Sequence, residues 1–144
     1  MPQRKSRVFF HFEKPFPPMR DRIKLRLFIE KILMDNKKAI FRLDYVFCSD
    51  SYLLNINRKF LCHDYFTDII SFDLSEGQEL LGEIYISIDR VRENSKEYET
   101  SVKNEIHRVV FHGALHLCGY KDKKMADKLE MSRLEDYYLK RYFK

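Results

Sequence analysis

Thr67-Asp68-Ile69-Ile70-Ser71-Phe72-Asp73-Leu74 and Leu81-Gly82-Glu83-Ile84-Tyr85-Ile86-Ser87-Ile88 are two runs of β-branched and aromatic residues separated by the turn-forming Ser75-Glu76-Gly77-Gln78. They read as the strands of a hairpin. Val8–Phe12 and Ile40–Cys48 have the same character and read as two further strands. Elsewhere the apolar spacing is helical, over about Met19–Asp35, Tyr52–Phe60, Asp89–Glu99, Val102–Cys118 and Lys124–Tyr142. The Pro15–Pro18 region, Ser49-Asp50-Ser51 and Thr100-Ser101 mark where three of these begin. In the first helix Ile23, Leu27, Ile32 and Met34, with Phe28 beside them, are expected to form the buried face. Together the elements predict one α+β domain over residues 1–144, a small mixed sheet of about four strands with one antiparallel hairpin, covered by about five helices.

The composition supports such a core. Of 144 residues, 44% are hydrophobic and 15% aromatic, which excludes a mainly disordered chain although 34% are charged. No apolar run approaches the roughly 18–20 residues that cross a bilayer, and the basic start Met1-Pro2-Gln3-Arg4-Lys5 leads into no signal-peptide core. A cytoplasmic protein with no membrane partner is expected. Cys48, Cys62 and Cys118 have neither the number nor the spacing of a disulfide framework or a CxxC zinc site, so reduced thiols are expected.

The formal charge of +5 is unevenly placed: residues 1–38 carry +7, residues 39–120 carry −5 and residues 121–144 carry +3. Basic ends suit a polyanion such as RNA, and equally suit solvated helix faces.

Chemistry concentrates in Phe111-His112-Gly113-Ala114-Leu115-His116-Leu117-Cys118-Gly119-Tyr120-Lys121-Asp122. Four residues apart on a helix, His112 and His116 lie about 40° apart on one face, so both imidazoles can reach one ion. Gly119 can end the helix in a left-handed conformation and return Asp122 as a third ligand. Two imidazoles and a carboxylate suit one zinc ion or another divalent metal, with a position left for the water that supplies the nucleophile. The spacing is that of the zincin pattern HExxHxxGxxH, with Gly113 at the position of the general-base Glu and Asp122 at that of the third His, which argues against a metalloprotease. Glu105 lies two turns before His112 on the same stripe, with at most a distant supporting or helix-dipole role. His107, about 140° round the helix from His112, is expected in a core or surface role, and Cys118 as a packed thiol. Nothing in the sequence places His11 or His63 near the metal, and no side chain is an obvious general base.

At His112–Asp122 the sequence HGALHLCGYKD resembles the YbeY family of ribosomal-RNA maturation endoribonucleases, whose motif reads HGxLHLxGYDH. Thr67–Phe72 is similar to that family's PT(D/N)VLSF strand, and Gly82–Ser87 to its GDIxIS strand, in the same order and spacing. The resemblance is close over about residues 50–123. It implies metal ligands His112, His116 and Asp122, and metal-dependent cleavage of single-stranded RNA in 16S rRNA 3′-end maturation and ribosome quality control, with rRNA and the ribosome or ribosomal proteins as partners. Two departures stand out. Asp122 replaces the family's third His, a harder ligand. Leu61 occupies the place of an Arg in the family's YRxxxxPT stretch, leaving Arg58 and Lys59 as candidate phosphate contacts.

The competing class is a non-catalytic rRNA-binding or ribosome-binding assembly factor with a structural metal. With few exposed aromatic positions identifiable for base stacking, RNA is expected to be engaged mainly through phosphate. The oligomeric state is not legible.

Overall fold

The computed structural model describes residues 6–16 and 18–144. The basic start at residues 1–5, and Pro17 of the proline-rich break, lie outside them. The elements follow in the order β1 (Val8–Phe12), α1 (Arg22–Asp35), β2 (Ile40–Cys48), α2 (Asp50–Leu61), β3 (Ile69–Asp73), β4 (Leu80–Ser87), α3 (Ile88–Glu97), α4 (Val102–Leu117) and α5 (Met125–Tyr142). The sheet order is β1-β2-β4-β3. β1 and β4 each run parallel to β2, while β3 pairs antiparallel with β4, Ile69 opposite Ile86 and Asp73 opposite Gly82. The expected hairpin and mixed α+β sheet are therefore present.

Alternation along the strands sends side chains to two differently covered faces. Leu43, Tyr45 and Phe47 of β2 and Ile84 and Ile86 of β4 join the larger core with residues of α1, α3, α4 and α5. Cys48 and Ile70 pack beneath Leu53 and Ile56 of α2 on the other face. The buried Tyr45 hydroxyl donates to the Val110 carbonyl at 2.8 Å, so its polar end costs little in the core.

The first helix turns inward a face that only partly matches the expected one: Ile32 is buried and Phe28 packs against the core as expected, but the rest of the stripe is shifted. Leu25, Ile29, Ile32 and Leu33 are buried, whereas Ile23, Leu27 and Met34 are 50–67% exposed. Apolar residues surround this helix, so its spacing alone does not select a stripe; packing against α4, including Phe28 against Phe111 at 5.3 Å, decides it. The helix also starts later, at Arg22, with the Asp21 carboxylate accepting from the Lys24 amide at 3.3 Å.

α4 is the element that carries the site. Ser101 caps its start, accepting from the Asn104 amide, and Gly119 at φ +104° turns the chain out of its end. Its middle lies against the sheet so closely that a Cβ at Gly113 would stand 3.0 Å from both Ile69 Cδ1 and Ile84 Cδ1. Hence the zincin Glu has no room here: at position 113 a side chain points into the sheet, away from any ligand. Gly113→Val is expected to destabilise the fold by about 1–3 kcal/mol through overpacking, measured by urea denaturation, with Gly113→Ala costing less. Equal stability of Gly113→Val and wild type would contradict the close packing.

Candidate active site

The exposed face of α4, the start of β3, the loop after α4 and the side of α5 enclose a cleft of about 330 Å³ whose polar wall is Asp68, Glu105, Arg108, His112, Asp122 and Glu135. Three features bring Asp122 there. Gly119 reverses the chain, the Tyr120 amide bonds the Leu115 carbonyl at 3.2 Å, and the Tyr120 hydroxyl donates to Asn36 Oδ1 at 2.9 Å, tying the loop to the end of α1.

His112 sits between two carboxylates. Its Nδ1 is 2.7 Å from Glu135 Oε2 and its Nε2 is 3.2 Å from Asp122 Oδ2. A carboxylate only accepts, so without a metal both nitrogens face acceptors, as in an imidazolium; a metal taking Nε2 would displace its proton and leave Nδ1–H on Glu135. Burial lowers the His112 pKa, but the Glu135 hydrogen bond and the charges of Glu135, Asp122 and Asp68 outweigh it, leaving the pKa raised. Glu135 also accepts from Arg108 at 3.0 Å, and Arg108 reaches Asp136 at 2.9 Å.

His116 stands one turn further on, exposed, with its ring nearly parallel to that of His112 and 6.4 Å away between centroids. No three His, Cys, Asp or Glu side chains among the described residues converge as a metal-holding group. The structure brings His112 and Asp122 together and leaves His116 beside them. The donor set fits a divalent ion nonetheless. Two ligands each about 2.0–2.2 Å from a tetrahedral ion stand about 3.3–3.6 Å apart, close to the 3.2 Å between Nε2 and Oδ2. His116, with no hydrogen bond among the described residues, is free to turn towards them.

Two carboxyls join the cleft beyond the nominated ligands. Burial raises the Asp68 pKa, opposed by His112 and reinforced by Glu135 and Asp122. Glu105 is 3% exposed and its carboxyl makes no hydrogen bond among the described residues; burial pushes its pKa up to about 7, against the pull of Arg108. Glu105 and Arg108 carry a readable signal, lying seven and four residues before His112 on the helix. Glu135 carries none, because only the packing of α5 on α4 brings it near.

The sequence-nominated cations lie elsewhere. Arg58 pairs with Asp64 at 2.5 Å, Lys59 lies 5.5 Å over the Phe60 ring, and neither lines the cleft; the cation that does is Arg108. His11 pairs with Asp44, His63 with Tyr65, and His107 is buried under α5. The expectation of few exposed aromatics is corrected: Phe60, Tyr65 and Phe66 are 55–58% exposed on the segment leading into Thr67 and Asp68. Apolar spacing says nothing about rings on the last turn of a helix or on the loop after it, which is why the sequence did not reveal them. Cys48, Cys62 and Cys118 are free thiols, and no described helix is long and apolar enough to cross a membrane.

A mixed sheet presenting a polar cleft, with a carboxylate-clamped histidine facing a second carboxylate, places the chain among small α+β proteins with an enzyme-like site. The family model described as Endoribonuclease YbeY matches residues 19–143, and the chain belongs to that family. Among curated relatives, the Endoribonuclease YbeY of Cytophaga hutchinsonii is 48% identical over 130 residues, covering 90% of this chain and 91% of the relative. That of Flavobacterium psychrophilum is 44% identical over 133 residues, covering 92% and 94%. The solution structure of TM1509 from Thermotoga maritima shares the fold at TM-score 0.66 and 24% identity, covering 94% of this chain and 89% of that one.

Proposed function

We propose that this single-domain protein is a metal-dependent endoribonuclease that cuts single-stranded RNA in the cytoplasm, in 16S rRNA 3′-end maturation and ribosome quality control, with the ribosome or its proteins placing the substrate. The observation that carries this reading is the His112 imidazole held by Glu135 with its second nitrogen 3.2 Å from Asp122, in a chain of an endoribonuclease family. His112, Asp122 and a rotated His116 would hold one divalent ion, zinc being suited to the nitrogen-rich set. Such an ion supplies Lewis acidity, polarising a phosphoryl oxygen and acidifying water.

The chain's own groups do the rest. Glu135 holds His112 in one tautomer and orientation. Arg108 has two of its five N–H donors committed to Glu135 and Asp136, and offers the others to a phosphoryl oxygen on which charge develops. Glu105, with a pKa near neutrality, lines the same cleft two turns from His112 and would take the proton of the attacking water through bridging water. The departing sugar oxygen is protonated from solvent.

Exposed Phe60, Tyr65 and Phe66 support a single-stranded substrate, whose unstacked bases can lie on rings that a duplex cannot reach. Incubation with a circular single-stranded RNA and with a perfect duplex tests the reading. The circle is expected to be opened and the duplex left intact. Phe66→Ala should raise KM about 5-fold to 100-fold by removing one stacking ring, leaving kcat nearly unchanged. An intact circle under all divalent metals would overturn the reading.

A further inference from the structure

A second cavity, of about 440 Å³, lies away from the cleft, between the start of α1, the start of α4 and the end of α5. Its wall includes Arg20, Lys24, Lys103 and His107, with Tyr142 and Phe143. At about 100° per residue, Lys103 and His107 sit roughly 140–180° round α4 from His112, so the two cavities occupy opposite sides of one helix. The volume is within the roughly 300–1,000 Å³ usual for small-molecule sites.

The chemistry of this cavity is specific. His107 is 4% exposed, and its Nδ1 is 2.6 Å from the Lys103 carbonyl, which can only accept. Nδ1 therefore carries the proton, and Nε2 is left as an acceptor with no hydrogen-bond partner among the described residues. Burial lowers the His107 pKa, which keeps that nitrogen unprotonated near neutral pH. Lys24 is positioned by the Tyr142 carbonyl at 3.0 Å and the Tyr142 ring at 4.4 Å, and Lys103 lies 5.2 Å over the Phe143 ring. The one carboxylate in the wall, Asp21, is engaged as the cap of α1. Three cations thus meet one unpartnered acceptor beside a 40% exposed Phe143 ring.

The charge pattern of the chain converges here as well. Arg20 and Lys24 come from the +7 segment, and Lys103, from the acidic middle of the chain, joins them. The catalytic cleft, by contrast, sets Asp68, Glu105, Asp122 and Glu135 against the single guanidinium of Arg108. A polyanionic substrate draws little phosphate affinity from such a wall.

We propose that this second cavity is a nucleotide-binding site that takes a phosphate of single-stranded RNA on Arg20, Lys24 and Lys103 and a ribose hydroxyl or base amino donor on His107 Nε2. Assigning the nucleotide to an RNA strand rests on the endoribonuclease reading; the nucleotide chemistry rests on the cavity alone. The site anchors a part of the strand remote from the bond that is cut.

Arg20→Gln/Lys103→Gln removes two cations whose side chains make no hydrogen bond within the described residues. Binding of hexauridylate is measured across salt concentrations, and the His107 ring resonances are followed by NMR on adding hexauridylate, uridine 5′-monophosphate or inorganic phosphate. For wild type, the His107 signals should shift with hexauridylate. The double variant should bind about tenfold more weakly, its salt dependence shallower by up to about 0.7 in log–log slope, the value for the one phosphate that is no longer neutralised. Equal affinity and slope in variant and wild type, or unmoved His107 signals, overturn the proposal. Uridine 5′-monophosphate or phosphate binding as tightly as hexauridylate would assign the cavity to a free nucleotide or anion and overturn the RNA strand. His112→Ala separates the two readings: if it cleaves RNA as fast as wild type while His107 still responds to hexauridylate, the metal-hydrolase mechanism falls and the cavity stands.

Discussion

Asp122→Ala is expected to leave the purified protein with well under one divalent metal per chain, against about one for wild type, and to lower RNA cleavage by at least about a thousandfold. The substitution removes the carboxylate that faces His112 Nε2 at 3.2 Å. Glu135→Gln should do less, because it keeps the shape of the clamp on His112 and loses only its charge; a loss of about 10–100-fold in metal affinity is expected. Elemental analysis after dialysis, paired with single-turnover cleavage, measures both. Full metal content in Asp122→Ala would remove that residue from the ligand set.

Glu105→Gln carries the second large effect, and it separates catalysis from stability. A general base contributes about 10²–10⁴-fold, so kcat should fall by that factor while metal content is retained. In wild type, activity should rise with pH through a limb at or below about 7, the folded pKa of Glu105, because a cation in the cleft favours the ionised carboxyl. Burial sets this pKa first, followed by Arg108 on the same helix and by Asp68 and Glu135 from neighbouring elements. Stability moves the other way. The folded pKa lies above the ordinary 4.5, so the folded chain holds more protons between pH 4.5 and about 7 and loses stability as pH rises across that window. At about 1.4 kcal/mol per pKa unit the loss is at most about 3.5 kcal/mol in metal-free protein, and less to the extent that solvent in the cleft screens the charge. Glu105→Gln should therefore be slower yet more stable than wild type at pH 8, by thermal denaturation with chelator present. A variant of unchanged kcat would make Glu105 a packing residue only.

Much of this architecture was readable because the decisive patterns are local. The alternation of Leu43, Tyr45 and Phe47, the caps at Ser49 and Ser101, and Gly119 at the end of α4 each act within a few residues, and each is where it was expected. The inward face of α1 was not readable, since Ile23 and Ile29 are alike in sequence and only α4 distinguishes them. The site divides in the same way. His112 and Asp122 are joined by one helix end and one turn, whereas Glu135 comes to His112 from another helix and Asp68 from the edge strand. Arg58 drew attention by its place in a family-like segment, but it is neutralised by Asp64. The charge of the middle segment was visible as −5, but segment charge does not locate the cleft, which draws Asp68 and Glu105 from that segment and Asp122 and Glu135 from the basic C-terminal one.

Cleavage of an internally labelled single-stranded RNA by His112→Ala, under single-turnover conditions with divalent metal in excess, tests the central claim most directly. His112 joins Glu135, Asp122 and the cleft in one side chain, so its removal should abolish cleavage while the strand still binds through phosphate contacts elsewhere. Normal binding with no cleavage is the predicted result. Cleavage at the wild-type rate would contradict a hydrolytic site built on His112 and leave a chain that binds RNA without cutting it there.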